Sequence, residues 1–298
     1  MRKNLLFRGT GTALVTPFMK NGTVDEQAIR RLVQRQLKGG VEALLPTGTT
    51  GESVTLDEDE QQRVVEIVAD ETNGRIPVIA GAGTNSTGKT ISLAHRMLAA
   101  GADGVLCVGP YYNKPTQEGY YRHYASIADA LDAPLIVYNV PGRTAGNIGA
   151  ETTLRIAEEI PAVAGIKEAS ANLGQIMEIL RNRPDNFGVW SGDDAITLPI
   201  SVLGADGVVS VVSNVVPGLF SKMVRLCLEG DYARALKIHN RLLPLMNFDF
   251  VESNPIPVKA VLAELHLIEE VYRLPLVRLG AAHRPLLKKI LAGLGSLR

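Results

Sequence analysis

The sequence predicts a (β/α)8 barrel followed by a C-terminal appendage of three helices. Short apolar runs alternate with amphipathic segments along most of the 298 residues, which is typical of βα units around a parallel sheet. Eight such runs fall within roughly the first 230 residues, the size expected of this kind of barrel. We therefore predict a catalytic barrel domain of residues 1–230 and a helical region of residues 231–298 that packs on it.

The predicted strands are short runs of residues that favour β-structure. A doubly wound open sheet is the structural alternative, but it usually has a Gly-rich first turn, whereas the first turn here is TPFMKNG. In chain order the predicted strands are residues 12–16, 41–45, 77–80, 104–108, 134–138, 163–167, 188–191 and 207–211.

Helix boundaries are also marked in the sequence. The segment DEQAIRRLVQRQLKGG, residues 25–40, carries apolar residues on one face and closes with two glycines, which end a helix. Residues 55–58, TLDE, predict a capping box at the start of the next helix. The three helices of the appendage are predicted at residues 230–246, 254–267 and 281–294.

Composition and charge argue against several classes of protein. The 31 basic and 31 acidic residues cancel, which leaves no electrostatic footprint for nucleic acid or an anionic membrane. No apolar stretch is long enough to span a membrane, and the apolar run within MRKNLLFRGTG is too short for a signal peptide. Cys107 and Cys227 give no disulfide framework, and the five histidines lack metal-ligand spacing. We expect a cytoplasmic protein without a bound metal.

The motif PTGTTGES, residues 46–53, predicts an anion-binding loop. It follows an apolar run and precedes a helix, a position from which backbone N–H groups can point at an anion. A phosphate-binding P-loop would need a lysine after its last glycine, but Gly51 is followed by Glu52. The loop therefore favours a small anion over a nucleoside triphosphate.

Lys167 closes the sixth predicted strand and is the first candidate catalytic residue. Strand alternation places Val163, Gly165 and Lys167 on one face, which we expect to line the barrel mouth, where such barrels carry their active sites. Burial favours the neutral form of an amine, which is then a nucleophile toward carbonyl carbon. The structural alternative is a rim lysine paired with Glu168 or with an acid of a loop.

Tyr138 ends the neighbouring predicted strand as Lys167 ends its own. Because adjacent strands run about 4.8 Å apart, the phenol is expected to lie near the amine and to serve proton transfer. The alternative is an aromatic side chain that only packs. Arg143, in the turn after this strand, is placed either to clamp a carboxylate or to lie in solvent.

Two further loops are predicted to have structural roles. Tyr111 and Tyr112 are adjacent aromatic residues in a loop, which predicts a contact between subunits. After the seventh predicted strand, Asp193 or Asp194 is expected to be the acidic start of a helix.

Seven motifs together carry a family resemblance that runs from about Gly11 to the C-terminus. With them the chain resembles the pyruvate-dependent Schiff-base aldolases and lyases. The resemblance implies a homotetramer built from dimers of barrels, acting on small molecules without a metal or an organic cofactor. The motifs are, in order, PTGTTGES, GPYYNKPTQEGYYRHY, YNVPGRTAGN, AGIKEAS, WSGDD, GVVSVVSN and NPIPVK.

The resemblance implies a role for individual residues. Lys167 corresponds to the lysine that forms an imine with pyruvate, and Tyr138 to the residue that donates and accepts protons. Thr49 and Tyr112 correspond to its partners in a proton relay, with Tyr112 reaching in from the neighbouring subunit. The residues that match contacts to bound pyruvate are Thr50, which helps to hold the carboxylate, Val209 and Gly192.

Arg143 favours one substrate class within this family. It corresponds to an arginine that binds the carboxylate of the second substrate, and relatives that act on N-acetylneuraminate or keto-deoxy sugar acids usually lack it. The resemblance therefore implies condensation of pyruvate with L-aspartate-4-semialdehyde to 4-hydroxy-tetrahydrodipicolinate, in lysine and diaminopimelate biosynthesis. The alternatives are an aldolase or dehydratase for a keto-deoxy sugar acid or N-acetylneuraminate, and a non-catalytic barrel that binds an effector.

The chain departs from the family at a regulatory site. Members inhibited by L-lysine bind it at a subunit interface, with residues that match Ser53, Asn85 and Tyr111 here. A histidine and a glutamate of that site are replaced by Glu58 and Lys89. Because Lys89 would repel a cationic effector, we expect weak inhibition by L-lysine.

Overall fold

The structure is a computed structural model that describes residues 5–295. Residues 1–4 of the predicted barrel domain, which include part of the N-terminal segment discussed above, lie outside the described residues. Residues 296–298 of the predicted C-terminal region lie outside them as well.

Eight parallel strands form one sheet that closes into a barrel, as the sequence predicts. They are hydrogen-bonded in the order β2-β1-β8-β7-β6-β5-β4-β3, and a parallel bridge between Leu44 and Val78 joins the two ends of the sheet. The strands are β1 (Gly9–Ala13), β2 (Ala43–Leu45), β3 (Ile79–Gly81), β4 (Gly104–Val108), β5 (Leu135–Asn139), β6 (Val163–Glu168), β7 (Gly188–Ser191) and β8 (Gly207–Ser210).

Helices surround the barrel and form the C-terminal appendage. The last three helices fall where three were predicted, so the appendage is confirmed. Within residues 5–295 the helices are α1 (Glu26–Gly39), α2 (Glu58–Thr72), α3 (Thr87–Ala99), α4 (Gln117–Ala130), α5 (Pro141–Thr144), α6 (Ala150–Glu159), α7 (Leu173–Asn182), α8 (Thr197–Val202), α9 (Pro217–Leu228), α10 (Tyr232–Phe248), α11 (Ile256–Glu264) and α12 (Arg284–Leu294).

Several predicted boundaries are wrong, and β2 and β3 both begin two residues later than predicted. The first strand begins three residues earlier than predicted, because Gly9 and Gly11 pair with β8 although neither is apolar. A Cβ at Gly11 would lie 2.6 Å from a Leu45 methyl carbon, so close packing rather than hydrophobicity selects the residue there. The capping box lies two residues later than predicted, since Asp57 accepts from the Glu60 N–H at 2.8 Å while the Glu60 carboxylate accepts from the Asp57 N–H at 3.1 Å.

A β-bulge changes which side chains of β6 point into the barrel. The register against β5 shifts, so that Leu135 pairs with Val163 and Ile136 with Gly165. Val163 therefore joins the apolar cluster outside the barrel, and its predicted placement on the face of Lys167 is wrong. Beyond the bulge the alternation holds, and Lys167 pairs with Tyr138.

Aromatic rings fill the lower part of the barrel. Phe7 stacks on Trp190 with ring centroids 4.8 Å apart, and both belong to the apolar cluster inside the barrel. Gly165 and Gly188 leave room for this indole, because a Cβ at either position would collide with its ring. The polar side chains described below lie at the opposite, C-terminal ends of the strands.

The C-terminal helices share a buried apolar cluster with the helices beside the first strands. Leu242 of α10, Val258 of α11 and Leu291 of α12 belong to the same cluster as Ile29 of α1 and Val64 of α2. The division of the chain at residue 230 stays a prediction. None of the helices in the described part of the chain is long and apolar enough to cross a lipid bilayer.

Candidate active site

Lys167 and Tyr138 lie side by side inside the barrel. Their strands place the two residues opposite one another, and Nζ of Lys167 lies 4.1 Å from the centroid of the Tyr138 ring. Lys167 is 6% exposed and Tyr138 7% exposed. An amine sheltered from water thus contacts a phenol that can exchange protons with groups bound beside it.

The alternative pairing of Lys167 with Glu168 is not formed. Glu168 follows Lys167 along the strand and points to the other face. Its carboxylate accepts from Nδ2 of Asn139 at 3.0 and 3.2 Å, from the N–H of Ser170 at 2.7 Å and from Nε2 of Gln175 at 3.1 Å. Glu168 therefore ties the ends of β5 and β6 together behind the amine.

The loop at residues 46–53 is folded by its own hydrogen bonds. The N–H groups of Gly51 and Glu52 donate to the carbonyl oxygens of Gly48 and Thr49, both at 3.1 Å. The Gly51 carbonyl accepts from the hydroxyl of Thr16 at 2.8 Å. Since these N–H groups donate inside the turn, they do not bind an anion. The residues of the loop that can bind one are therefore Thr49 and Thr50.

Thr50 is buried and oriented from the C-terminal region. Its Oγ1 accepts from Nδ2 of Asn254 at 2.9 Å, so its own hydroxyl proton is left to donate to another acceptor. A carboxylate oxygen of a bound acid is such an acceptor.

A cleft of about 410 Å³ opens beside Tyr138. Arg143, on the one-turn helix α5, reaches its rim, where Nη2 donates to the Asn254 carbonyl at 3.3 Å. Charged, hydroxyl and aromatic groups therefore converge on a space large enough for a small organic acid. Among the predicted site residues, those that line the cleft are Thr49, Tyr138 and Arg143.

The other predicted site residues, including Lys167 and Thr50, do not line this cleft. Gly192 faces the amine, because a Cβ built there would lie 3.2 Å from Cε of Lys167. Val209 is buried in the apolar cluster inside the barrel, on β8, which pairs with the strand that Gly192 follows. Tyr112 does not line the cleft; it is 88% exposed, with φ of 73°.

Comparison with known proteins identifies the family of the chain. A model of the dihydrodipicolinate synthetase family matches residues 6–294. The chain belongs to this family. The 4-hydroxy-tetrahydrodipicolinate synthase of Prosthecochloris aestuarii is 50% identical over 292 residues, which cover 98% of each chain.

Solved structures of family members have the same fold. The dihydrodipicolinate synthase from Thermotoga maritima superposes with a TM-score of 0.96 at 47% identity, covering 98% of this chain and all of that chain. The enzyme from Cyanidioschyzon merolae, solved with lysine bound, gives a TM-score of 0.95 at 40% identity and covers 98% of this chain and 99% of its own.

The family motif WSGDD contains two acids whose predicted role is wrong, because the first turn of α8 contains no acidic residue. Asp194 does not start a helix, since α8 begins at Thr197 without a side-chain cap. Its Oδ2 accepts from the N–H groups of Val211 and Val212 at 2.9 and 2.8 Å, and burial raises the pKa of Asp194 to about 6. Asp194 therefore fixes the chain that leaves β8.

Sequence reasoning missed three groups near the predicted site. Asn254 contacts both Thr50 and Arg143, as described above. Lys259 forms a buried ion pair with Glu52 of the loop. Burial, with Asp194 nearby, raises the pKa of Asp249 well above its ordinary value.

The motif NPIPVK, which contains Asn254 and Lys259, was the only sequence signal for two of these groups. Within residues 5–295 no cluster of three or more histidine, cysteine, aspartate or glutamate residues has the arrangement of a metal site.

Proposed function

We propose that the protein is a 4-hydroxy-tetrahydrodipicolinate synthase, which condenses pyruvate with L-aspartate-4-semialdehyde. The observation that carries this proposal is the buried amine of Lys167, 4.1 Å from the Tyr138 ring centroid, in a chain of this family. The full-length similarity to synthases of this name supports it.

The reaction starts with attack of the neutral Lys167 amine on the ketone carbon of pyruvate, and loss of water gives an imine. Tyr138 transfers protons, and loss of a proton from the pyruvate methyl group gives an enamine. The enamine carbon attacks the aldehyde carbon of the second substrate. The amine of that substrate then displaces Lys167 as the ring closes, which releases the free enzyme.

The remaining site residues bind the substrates or complete the proton relay. Thr49 and Tyr112, the latter from a neighbouring subunit, pass protons to and from Tyr138. Arg143 binds the carboxylate of the aldehyde substrate at the rim, where a guanidinium can donate two parallel hydrogen bonds to it. The residues that surround bound pyruvate are Thr50, Val209 and Gly192.

Reductive trapping tests the imine step. Incubation with pyruvate and borohydride should add about 72 Da to Lys167, the mass of a reduced pyruvyl imine. Lys259 is a matched internal control because it is also a buried lysine but lies outside the barrel interior. An unmodified Lys167 under these conditions would refute the mechanism.

A substrate panel decides between the proposed synthase and the alternatives. The panel contains L-aspartate-4-semialdehyde with pyruvate, N-acetylneuraminate, and a 2-keto-3-deoxy sugar acid. Turnover of the aldehyde alone is expected. Turnover of a sugar acid would make the protein a lyase or dehydratase of the same family, and trapping without any turnover would favour the effector-binding barrel.

We place the enzyme in the cytoplasm as a homotetramer built from dimers. The two cysteines are free and buried, which fits a reducing compartment. The exposed Tyr112 and the 82% exposed Val54 lie near the cleft and fit a subunit contact.

We also propose that L-lysine inhibits the enzyme weakly. Lys89 is exposed at the start of α3, and Glu58 is engaged with Arg96 at 3.0 Å. Lys89 therefore adds a positive charge to the predicted effector site, and Glu58 is already paired with Arg96. Initial rates should change little at millimolar lysine, and strong inhibition there would contradict this expectation.

A further inference from the structure

A second buried lysine lies behind the loop that carries Thr49 and Thr50. Lys259 of α11 forms an ion pair with Glu52, and both side chains are fully buried. The ammonium lies 4.3 Å from the Phe18 ring centroid and 5.0 Å from that of Tyr272.

Stability alone is a poor explanation for this pair. Taking two charges out of water costs several kcal/mol for each ion, and apolar side chains of similar volume often serve as well. Moreover, Oε2 of Glu52 is buried and has no hydrogen-bond partner among the described residues. An arrangement this costly is better explained by a need for a fixed position.

The position that it fixes is that of the loop at residues 46–53, which is the predicted anion-binding loop. Glu52 has φ of 54°, a left-handed conformation that is unfavourable for a residue with a side chain, and its N–H donates to the Thr49 carbonyl at 3.1 Å. Five residues before Lys259, Asn254 holds Oγ1 of Thr50 at 2.9 Å. The segment from Asn254 to Lys259 therefore holds the loop on both sides of Gly51.

We infer that Glu52 and Lys259 form a positioning pair, which acts through Thr49 and Thr50 to align the carboxylate of bound pyruvate. Neither residue touches the substrate. The inference rests on the proposed function, because it assigns the pair to the binding of the substrate that Lys167 attacks.

The test compares two double variants. E52Q/K259M removes both charges and keeps the side-chain volumes. R183M/D206N is the matched control, because Arg183 and Asp206 form another buried ion pair. This pair lies at the opposite end of the barrel, since Asp206 immediately precedes β8. Thermal unfolding followed by circular dichroism sets a temperature at which both variants are folded.

The readout is the pyruvate concentration that gives half the maximal rate of Lys167 labelling with borohydride. E52Q/K259M should raise it about tenfold or more, since misplacing a binding group by about 1 Å can cost up to about a hundredfold. The control should stay within about twofold of the wild type, even if it melts at an equally low temperature. A larger effect on this concentration than on the maximal labelling rate would separate positioning of the carboxylate from general damage.

Each outcome has a defined consequence. Equal shifts in both variants, or no shift in E52Q/K259M, would overturn the positioning role of the pair. Labelling of Lys167 in the wild type would still support the proposed function in that case. Absence of label in the wild type would overturn the proposed function and, with it, this inference. If E52Q/K259M does not fold, the single variants E52Q and D206N carry the same comparison.

Discussion

Arg143 is the residue on which, in our proposal, the choice of second substrate depends. It reaches the rim of the cleft from a one-turn helix, and a single hydrogen bond to the Asn254 carbonyl holds it there. In the R143A variant, we expect the KM for L-aspartate-4-semialdehyde to rise about a hundredfold, because a charge-assisted bidentate contact of about 3 kcal/mol is lost. Steady-state kinetics with the aldehyde varied at saturating pyruvate measures this.

Reductive trapping with pyruvate alone is the control for this variant. Labelling of Lys167 should stay as in the wild type, since we propose that Arg143 binds the second substrate and not pyruvate. The R143K variant should recover only part of the loss, because lysine lacks the planar fork of arginine. A loss of labelling in R143A would show instead that Arg143 serves pyruvate.

Asp249 gives a prediction about pH. Neither of its carboxyl oxygens has a hydrogen-bond partner within the described residues, and burial together with Asp194 raises its pKa well above the ordinary value of 3.8. The folded protein therefore keeps Asp249 protonated at pH values where the unfolded chain ionises it. Since the folded pKa is the higher one, the wild type loses stability as pH rises.

The D249N variant has no proton to lose at this position. Relative to the wild type, its free energy of unfolding should rise by about 1.4 kcal/mol per pH unit above about pH 4, until the pKa of folded Asp249 is reached. Urea unfolding at several pH values measures the difference, and exchange of the exposed Asp132 for asparagine is the control. A difference that does not change with pH would contradict the assignment.

Individual residues could be predicted when the alternation of side chains along a strand and the spacing of neighbouring strands were enough to place them. Lys167 and Tyr138 end adjacent strands, so alternation and strand spacing were enough to bring them together. Asn254 could not be found in this way, because its partner Thr50 is 204 residues away in the chain. Asp249 directly follows α10, and nothing in the adjacent sequence distinguishes a buried acid from an exposed one there.

At the scale of elements, the ends of β5 and β6 are tied together by Glu168. Its carboxylate, 1% exposed, joins Asn139 of β5 to Ser170 and Gln175 beyond β6. The E168A variant would leave several buried donors without partners. We expect a loss of about 2 to 4 kcal/mol in the free energy of unfolding, measured with urea.

The exposed Glu178 of α7 provides the comparison for this variant. E178A should change the free energy of unfolding by no more than about 0.5 kcal/mol. Equal effects of E168A and E178A would mean that the network behind Lys167 contributes nothing measurable.

Most elements could be predicted from the sequence because their signals are local. The bounds of β4 and β7 agree with the prediction, and Gly40 ends the first helix in a left-handed conformation with φ of 71°, as its position suggested. The bulge in β6 could not be seen, because it arises from the register between two strands. The first strand was misplaced because glycines selected by close packing carry no hydrophobic signal.

At the scale of the whole molecule, the position of Tyr112 predicts that an active site is shared between subunits. Tyr112 follows β4 on the same end of the barrel as Lys167, but it is 88% exposed and does not line the cleft of its own chain. If it completes the proton relay of a neighbour, a subunit that lacks Lys167 can still support a subunit that lacks Tyr112.

Mixing two inactive variants tests this sharing. K167A and Y112A proteins, each with little activity alone, are dissociated, mixed in equal amounts and reassociated. About half of the dimers should then be hybrids, and in each hybrid one of the two sites combines Lys167 with a neighbour's Tyr112. Activity should therefore recover to about a quarter of that of the wild type.

A relay confined to one chain gives the opposite result. Every subunit of a hybrid would then lack either Lys167 or Tyr112, so mixing would restore no activity. Reassociated wild type sets the full scale, and an affinity tag on one variant only, followed by pull-down of the untagged one, shows that hybrids form. Recovery near a quarter would make the dimer the smallest unit with a complete site, and a monomeric barrel of this chain would be expected to bind pyruvate but turn over slowly.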